Sequence, residues 1–176
     1  MTAMKHIGSL SLVLALISVP AQAEMSELRL GVLNHDISFL GHGKEGGVDI
    51  NAEALFHSPD FLKPIWAPRP HVGVSVNSRG DTSQAYAGLT WTYEPIQKVF
   101  IEFSFGGSVH NGELNTWDAD KKSLGSRVLF RESLSLGYRF DDHNSLSVAF
   151  DHESNANFAS SNEGLNNLGL RWGYRF

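Results

Sequence analysis

The feature that most constrains the fold is a regular alternation of apolar and polar residues, which recurs in eight segments after residue 23. Within each segment every second residue is apolar, the period of a β-strand with one apolar face. The apolar rows begin at Leu28, Val48, Val72, Ala85, Val99, Val128, Leu146 and Leu168. No segment carries a convincing helical period. The sequence therefore predicts an all-β chain of eight strands.

Alternation of this kind fits either a soluble β-sandwich or a membrane barrel. The even number of strands favours the barrel, and so does the combination of a secretion signal with a chain that contains no cysteine. The last row ends in Trp172, Tyr174 and Phe176, like the aromatic girdle of a membrane interface. Charged residues of both signs lie on the face opposite the apolar rows, where they can pair inside a narrow lumen. A barrel of eight strands is just wide enough for side chains to fill its interior. We predict that residues 24–176 form an eight-stranded antiparallel outer-membrane β-barrel, with a periplasmic β-sandwich as the alternative.

Residues 1–23 have the pattern of a secretory signal peptide. Lys5 and His6 provide a basic start, and residues 7–19 form an apolar run that contains small residues. The run is shorter than the ~20 residues that a membrane-spanning helix needs. Ala21 and Ala23 are small residues at the two positions that signal peptidase reads. We predict cleavage after Ala23 and a location in the bacterial outer membrane.

Composition excludes several classes of function. The 176 residues suffice for one domain, and the absence of cysteine excludes disulfides and thiolate metal sites. The net charge of −5 argues against nucleic acid as a partner. Because no ligand spacing connects His42, His57 and His110, we expect no metal, and we expect no other cofactor. The oligomeric state is left open, with a homodimer as one option.

A histidine and a serine extend one of the apolar rows near the end of the chain. The row Leu146, Val148 and Phe150 continues at the same period with His152 and Ser154. A base and a hydroxyl nucleophile would thus lie side by side where an apolar surface ends.

Strand pairing predicts two further neighbours of His152. Folding the sixth and seventh strands about a turn at Asp142 places Glu132 opposite His152. Folding the seventh and eighth strands so that Phe150 faces Leu168 places Asn166 opposite His152. Residues opposite one another lie about 4.5–5.5 Å apart at Cβ. An even slip of register keeps all of these side chains on the same face.

These residue types point to nucleophilic catalysis. A serine hydroxyl needs a base to take its proton, and a neutral histidine is suited to that task. A third group orients the imidazole, and Asn166 or Glu132 could provide it. Asn155 and the backbone amides that follow Ser154, including that of Ala156, could stabilise an oxyanion. A nucleophile on the outer wall of a barrel reaches membrane lipids, so cleavage of an acyl ester is the expected reaction. Polar residues at a membrane rim without any catalytic role are the alternative.

Three short segments resemble the signature of the PagL-type lipid A 3-O-deacylases. They are His-Glu-Ser-Asn-Ala at residues 152–156, Asn-Glu-Gly-Leu-Asn at residues 162–166, and Phe-Arg-Glu at residues 130–132. The resemblance implies an eight-stranded outer-membrane barrel that acts on lipid A in lipopolysaccharide. It also implies that Ser154 is the nucleophile and His152 the base, on the outer wall, for hydrolysis of the ester-linked acyl chain at the 3-position.

The chain departs from this family at one position. The best-studied members of the family it resembles have a glutamate as the orienting acid fourteen residues after the histidine, where this chain has Asn166. Glu132 or Glu163 could supply the missing charge. Glu163 is the weakest of the candidates, because the two-residue period of a strand directs its side chain to the face opposite that of His152. Two other functions stay open. One is a structural or adhesive barrel that has lost activity, and the other is a phospholipid acyl hydrolase.

Overall fold

The chain forms a closed antiparallel barrel in which the eight strands follow one another in sequence order. The computed structural model describes residues 24–38 and 41–176, so the predicted signal peptide lies outside the described residues. The strands are β1 (Met25–Asn34), β2 (Val48–Phe56), β3 (Arg69–Asn77), β4 (Gln84–Ile96), β5 (Val99–His110), β6 (Val128–Arg139), β7 (Asn144–Ser154) and β8 (Leu165–Arg175). A 3₁₀ helix covers Asp60–Ile65. The predicted eight-stranded barrel is confirmed.

Pairing of the first and last strands closes the barrel. Leu30 of β1 lies opposite Trp172 of β8, and the ladder continues to Asn34 opposite Leu168. Closure leaves no unpaired sheet edge, which a two-sheet sandwich would have. The sandwich alternative is therefore wrong. Among residues 24–38 and 41–176, no helix is long and apolar enough to cross a membrane.

The two faces of the wall have the polarity of a transmembrane barrel and not of a soluble protein. The outward rows are apolar and exposed, as at Ile50 and Leu136. The inward rows are polar and buried, as at Arg131, Asp151 and Arg171. Arg131 Nη2 lies 2.8 Å from Asp151 Oδ2, and the Arg171 guanidinium donates to the same carboxylate. Paired charges of this kind fill the lumen, in agreement with the prediction from the sequence.

The two ends of the barrel differ in their connections. At one end, which we call the turn end, residues 97–98 and 140–143 make short turns, whereas residues 57–68 make a longer link. Four loops lie at the opposite end, which we call the loop end. They are L1 (residues 35–47), L2 (78–83), L3 (111–127) and L4 (155–164). Short turns face the periplasm and longer loops face the outside in barrels of this type.

Buried polar contacts hold the loops L1, L2 and L3 together. The carboxylate of Glu45 accepts hydrogen bonds from the backbone N–H groups of Thr82 and Lys122, at 3.0 and 3.1 Å. His35 Nε2 lies 3.1 Å from Glu45 Oε2, and His35 Nδ1 lies 2.9 Å from Asp49 Oδ1. Burial lowers the pKa of His35, but the two carboxylates outweigh burial and raise it to about 9. A charged histidine thus joins L1 to the start of β2.

Candidate active site

His152 and Ser154 end the outward row of β7 at the loop end of the barrel, and both are half-buried. The strand registers are those predicted from the sequence. Glu132 of β6 and Asn166 of β8 lie opposite His152 on its two sides. Phe130 of β6 lies opposite Ser154. The barrel therefore brings the predicted residues together on one stretch of its outer wall.

Asn166 is the residue that holds the imidazole. Its Oδ1 lies 2.6 Å from His152 Nδ1. An amide oxygen only accepts hydrogen bonds, so Nδ1 carries the proton and Nε2 presents its lone pair. Asn166 is itself fixed, because it is 1% exposed and its carbonyl accepts a 2.8 Å hydrogen bond from the N–H of Ile37 in L1. His152 thus has the tautomer that a general base for a neighbouring hydroxyl requires.

Gly164 packs closely against the imidazole ring of His152. Its φ of +65° lies in the left-handed region that favours glycine. A Cβ at this position would lie 3.4 Å from His152 Cε1 and 3.2 Å from the carbonyl oxygen of Glu153. The absence of a side chain at the last residue of L4 therefore lets the backbone pack closely against the imidazole.

Glu132 and Glu163 form no hydrogen bond or ion pair with His152 among the described residues. Glu132 is exposed, and it makes no hydrogen bond or ion pair with His152 in the part of the chain that the structure describes. Glu163 instead accepts hydrogen bonds from Lys44 Nζ at 2.6 Å and from the N–H of Ser123 at 2.5 Å. Burial raises the pKa of Glu163, but these two donors outweigh burial and lower it. Glu163 thus joins L4 to L1 and L3.

The structure places Asn155 differently from the expectation of an oxyanion donor. Its side-chain amide is 3% exposed and donates to the carbonyls of Leu124 and Ser161, at 2.8 and 2.6 Å. Its backbone N–H donates to Asn162 Oδ1 at 2.9 Å. Both donor groups are therefore occupied, because the start of L4 must pack against L3.

Ala156 retains a free donor close to Ser154. It is exposed, and its N–H has no acceptor within residues 24–38 and 41–176. Ala156 and Asn157 have φ of 52° and 62°, and the N–H of Phe158 donates to the carbonyl of Asn155 at 3.0 Å. Two positive φ angles in a row are typical of a type I′ turn. Sequence reasoning missed this turn, because it lacks the usual glycine.

Three phenylalanines form an apolar surface beside Ser154, which we call the aromatic platform (Phe105, Phe130 and Phe158). The ring centroid of Phe130 lies 6.2 Å from those of both Phe105 and Phe158. Phe158 is 84% exposed. Sequence reasoning missed Phe158, because a loop residue belongs to no alternating row.

Side chains that bind metal ions do not cluster in the described part of the chain. Residues 24–38 and 41–176 contain no group of three or more histidine, cysteine, aspartate or glutamate side chains that could hold a metal ion.

The family model for lipid A 3-O-deacylase (PagL) matches residues 65–175. The chain belongs to this family. The match includes β3 to β8 and with them His152, Ser154, Asn166 and Glu132. No curated protein matches the PagL-family chain.

Solved structures share the fold of this PagL-family barrel. The crystal structure of the outer membrane enzyme PagL superposes with a TM-score of 0.64 at 16% identity, covering 86% of this chain and 100% of that one. A de novo designed transmembrane β-barrel matches with a TM-score of 0.52 at 12% identity, covering 87% and 98% of the two chains. At these identities the likeness shows the fold alone.

Proposed function

We propose that this PagL-family chain is a lipid A 3-O-deacylase of the bacterial outer membrane that works as a serine esterase. The observation that supports the proposal best is the 2.6 Å contact between Asn166 Oδ1 and His152 Nδ1. This contact leaves Nε2 as the unprotonated ring nitrogen, and we infer that it serves as the base for Ser154, two residues along the same outward row. The alternating apolar rows below the site face lipid, so the substrate is a membrane lipid.

The reaction proceeds through an acyl-enzyme. Ser154 Oγ attacks the carbonyl carbon of the 3-linked ester while His152 Nε2 takes the hydroxyl proton. The oxyanion of the tetrahedral intermediate accepts a hydrogen bond from the N–H of Ala156. His152 then protonates the departing O3 of the sugar, and the acyl chain stays on Ser154. A water molecule, deprotonated by His152, releases the fatty acid and restores the serine.

The aromatic platform is suited to the acyl chain of this substrate. Phe130 lies opposite Ser154 and carries the apolar surface from the barrel wall up to the exposed ring of Phe158. An acyl chain that lies along this surface removes apolar area from water, worth about 25 cal/mol per Å². The ester carbonyl would then meet Ser154 at the level where the lipid ends.

Asn166 makes this version of the site electrostatically weaker than one with a carboxylate. A neutral amide fixes the tautomer of His152 but does not stabilise the imidazolium that forms during the reaction. Hydrogen bonds to charged groups are worth about 1 kcal/mol more than neutral ones, which is about fivefold in rate. We therefore propose a slower enzyme and not an inactive one.

The direct test is hydrolysis of purified lipopolysaccharide in detergent micelles. The wild-type chain should release a 3-hydroxy fatty acid, whereas Ser154→Ala and His152→Ala should release none while keeping the barrel fold. Release by either variant would contradict the assigned roles. No release by the wild type would favour the structural or adhesive barrel, and release from phospholipid alone would favour a phospholipid hydrolase. Neither the family match nor the structural match supports a homodimer, and the proposed reaction needs only one chain.

A further inference from the structure

The link between β2 and β3, which we call the β2–β3 segment (residues 57–68), is unusually long for the turn end. The other connections at this end, residues 97–98 and 140–143, are short turns. Barrels of this type normally have short periplasmic turns. The proposed catalytic residues lie at the opposite end, so the segment has no part in the reaction itself.

The β2–β3 segment presents large apolar side chains to its surroundings. Phe61 is 70% exposed, Trp66 is 87% exposed and Ile65 is also exposed. None of the residues of its 3₁₀ helix is buried. These side chains therefore contribute nothing to a core, although their exposure to water is unfavourable.

The backbone of the segment is nevertheless well defined. The N–H groups of Trp66 and Ala67 donate to the carbonyls of Lys63 and Leu62, at 3.1 and 3.0 Å. Trp66 and Ala67 have φ of 65° and 47°, left-handed conformations that are unfavourable for residues with a side chain. The segment thus holds Trp66 in a fixed and strained position at its end.

One hydrogen bond places the segment against the outer wall of the barrel. Trp91 Nε1 donates to the carbonyl oxygen of Ile65 at 2.8 Å. Trp91 belongs to the outward row of β4, and its ring stacks on Phe103 of β5 at 6.0 Å. The segment is therefore continuous with the surface that faces lipid.

The next residues of the segment also reach the mouth of the barrel. Trp66 and Ala67 border a cavity of about 400 Å³ whose other walls include Arg69 and Arg175. Residues 65–67 thus lie where the lipid-facing wall meets the water-facing mouth. This is the level of the membrane–water interface, where aromatic residues gather in membrane proteins.

We propose that the β2–β3 segment is an interfacial anchor. It inserts Phe61, Ile65 and Trp66 into the boundary between headgroups and acyl chains of the phospholipid leaflet on the periplasmic side. The exposed ion pair of Lys63 with Asp60, at 2.9 Å, gives the segment a polar side that suits the headgroups. The anchor sets the depth of the barrel from the end opposite Ser154. The inference requires a membrane location, but it does not depend on catalysis.

The test measures whether lipid reaches Trp66. The mature chain is reconstituted in phosphatidylcholine vesicles whose acyl chains carry bromine close to the headgroup, where it quenches nearby tryptophan fluorescence. The difference between wild type and Trp66→Ser gives the emission of Trp66. The matched control is Trp117→Ser, because Trp117 lies in L3 at the loop end and is fully exposed.

We expect brominated lipid to quench the Trp66 emission at least twofold more strongly than the Trp117 emission. Acrylamide dissolved in the water should show the reverse order. Equal quenching of the two tryptophans by brominated lipid, or stronger quenching of Trp66 by acrylamide, would overturn the proposal. The segment would then face water or another protein. Activity on micellar substrate should be the same in Trp66→Ser as in wild type, which separates this test from that of the catalytic residues.

Discussion

Replacement of Asn166 by leucine tests how His152 is oriented. Leucine has nearly the shape of asparagine but cannot accept the 2.6 Å hydrogen bond from Nδ1. Asn166 is 1% exposed, so water does not easily replace its oxygen. A buried donor left without its partner costs about 1–3 kcal/mol. If that cost falls on the transition state, kcat decreases by about 5- to 150-fold.

Two further variants separate orientation from charge. Glu132→Gln removes the nearest alternative carboxylate, but Glu132 is exposed and forms no hydrogen bond or ion pair with His152 among the described residues. Exposed charges interact weakly through water, so kcat should change by less than about threefold. Asn166→Asp keeps the acceptor and adds a charge, so kcat should rise about fivefold.

The assay is the release of 3-hydroxy fatty acid from lipopolysaccharide in detergent micelles, with kcat and KM determined separately. Circular dichroism of each variant confirms that the barrel is folded. The reasoning fails if Asn166→Leu keeps more than half of the wild-type kcat. It also fails if Glu132→Gln lowers kcat as far as Asn166→Leu does, since Glu132 would then be the orienting group.

Four other substitutions or conditions probe the surroundings of the site. Ala156→Gly relieves a positive φ, so the free energy of unfolding should rise by up to about 1 kcal/mol in a melt followed by circular dichroism. Asn155→Ala removes one buried hydrogen bond from L4 to Leu124 in L3 and a second to Ser161 within L4, so a protease should cut these loops at least several-fold faster. Phe158→Ala should raise KM about tenfold for a long-chain ester, through lost apolar contact, and leave hydrolysis of a short-chain ester unchanged. Burial lowers the pKa of His35, but two carboxylates outweigh burial and raise it from 6.5 to about 9. The charged His35 therefore contributes its full stabilisation below pH 6.5, and this stabilisation is lost as the pH rises through about 9. Melting temperatures between pH 6 and 10 should show this loss in the wild type and not in His35→Gln.

Much of the barrel could be predicted from the sequence because its walls obey a period of two. One face must be apolar toward lipid and the other polar toward the lumen, so the residue pattern of each strand determines its orientation. A one-residue slip would turn apolar residues inward, and this constraint determined the pairing of Glu132 and Asn166 with His152. The departure from the family at Asn166 therefore follows from the sequence alone.

The loops could not be predicted in the same way. Asn155 looked like a free donor because nothing in the sequence places Leu124 or Ser161 beside it, although it comes directly after Ser154. The turn at Ala156 lacks the glycine that normally marks positive φ angles. Contacts of this kind depend on loops that are distant in sequence and have no periodicity, so only the folded chain reveals them.

The central claim is that Ser154 removes the 3-linked acyl chain of lipid A. The most direct measurement is the mass spectrum of lipid A from bacteria that produce the wild-type chain, compared with bacteria that produce Ser154→Ala at the same level in the outer membrane. We expect the wild type to shift lipid A to a mass lower by one 3-hydroxyacyl group, and Ser154→Ala to leave the mass unchanged. An unchanged mass with both chains, or the same shift with both, would contradict the claim.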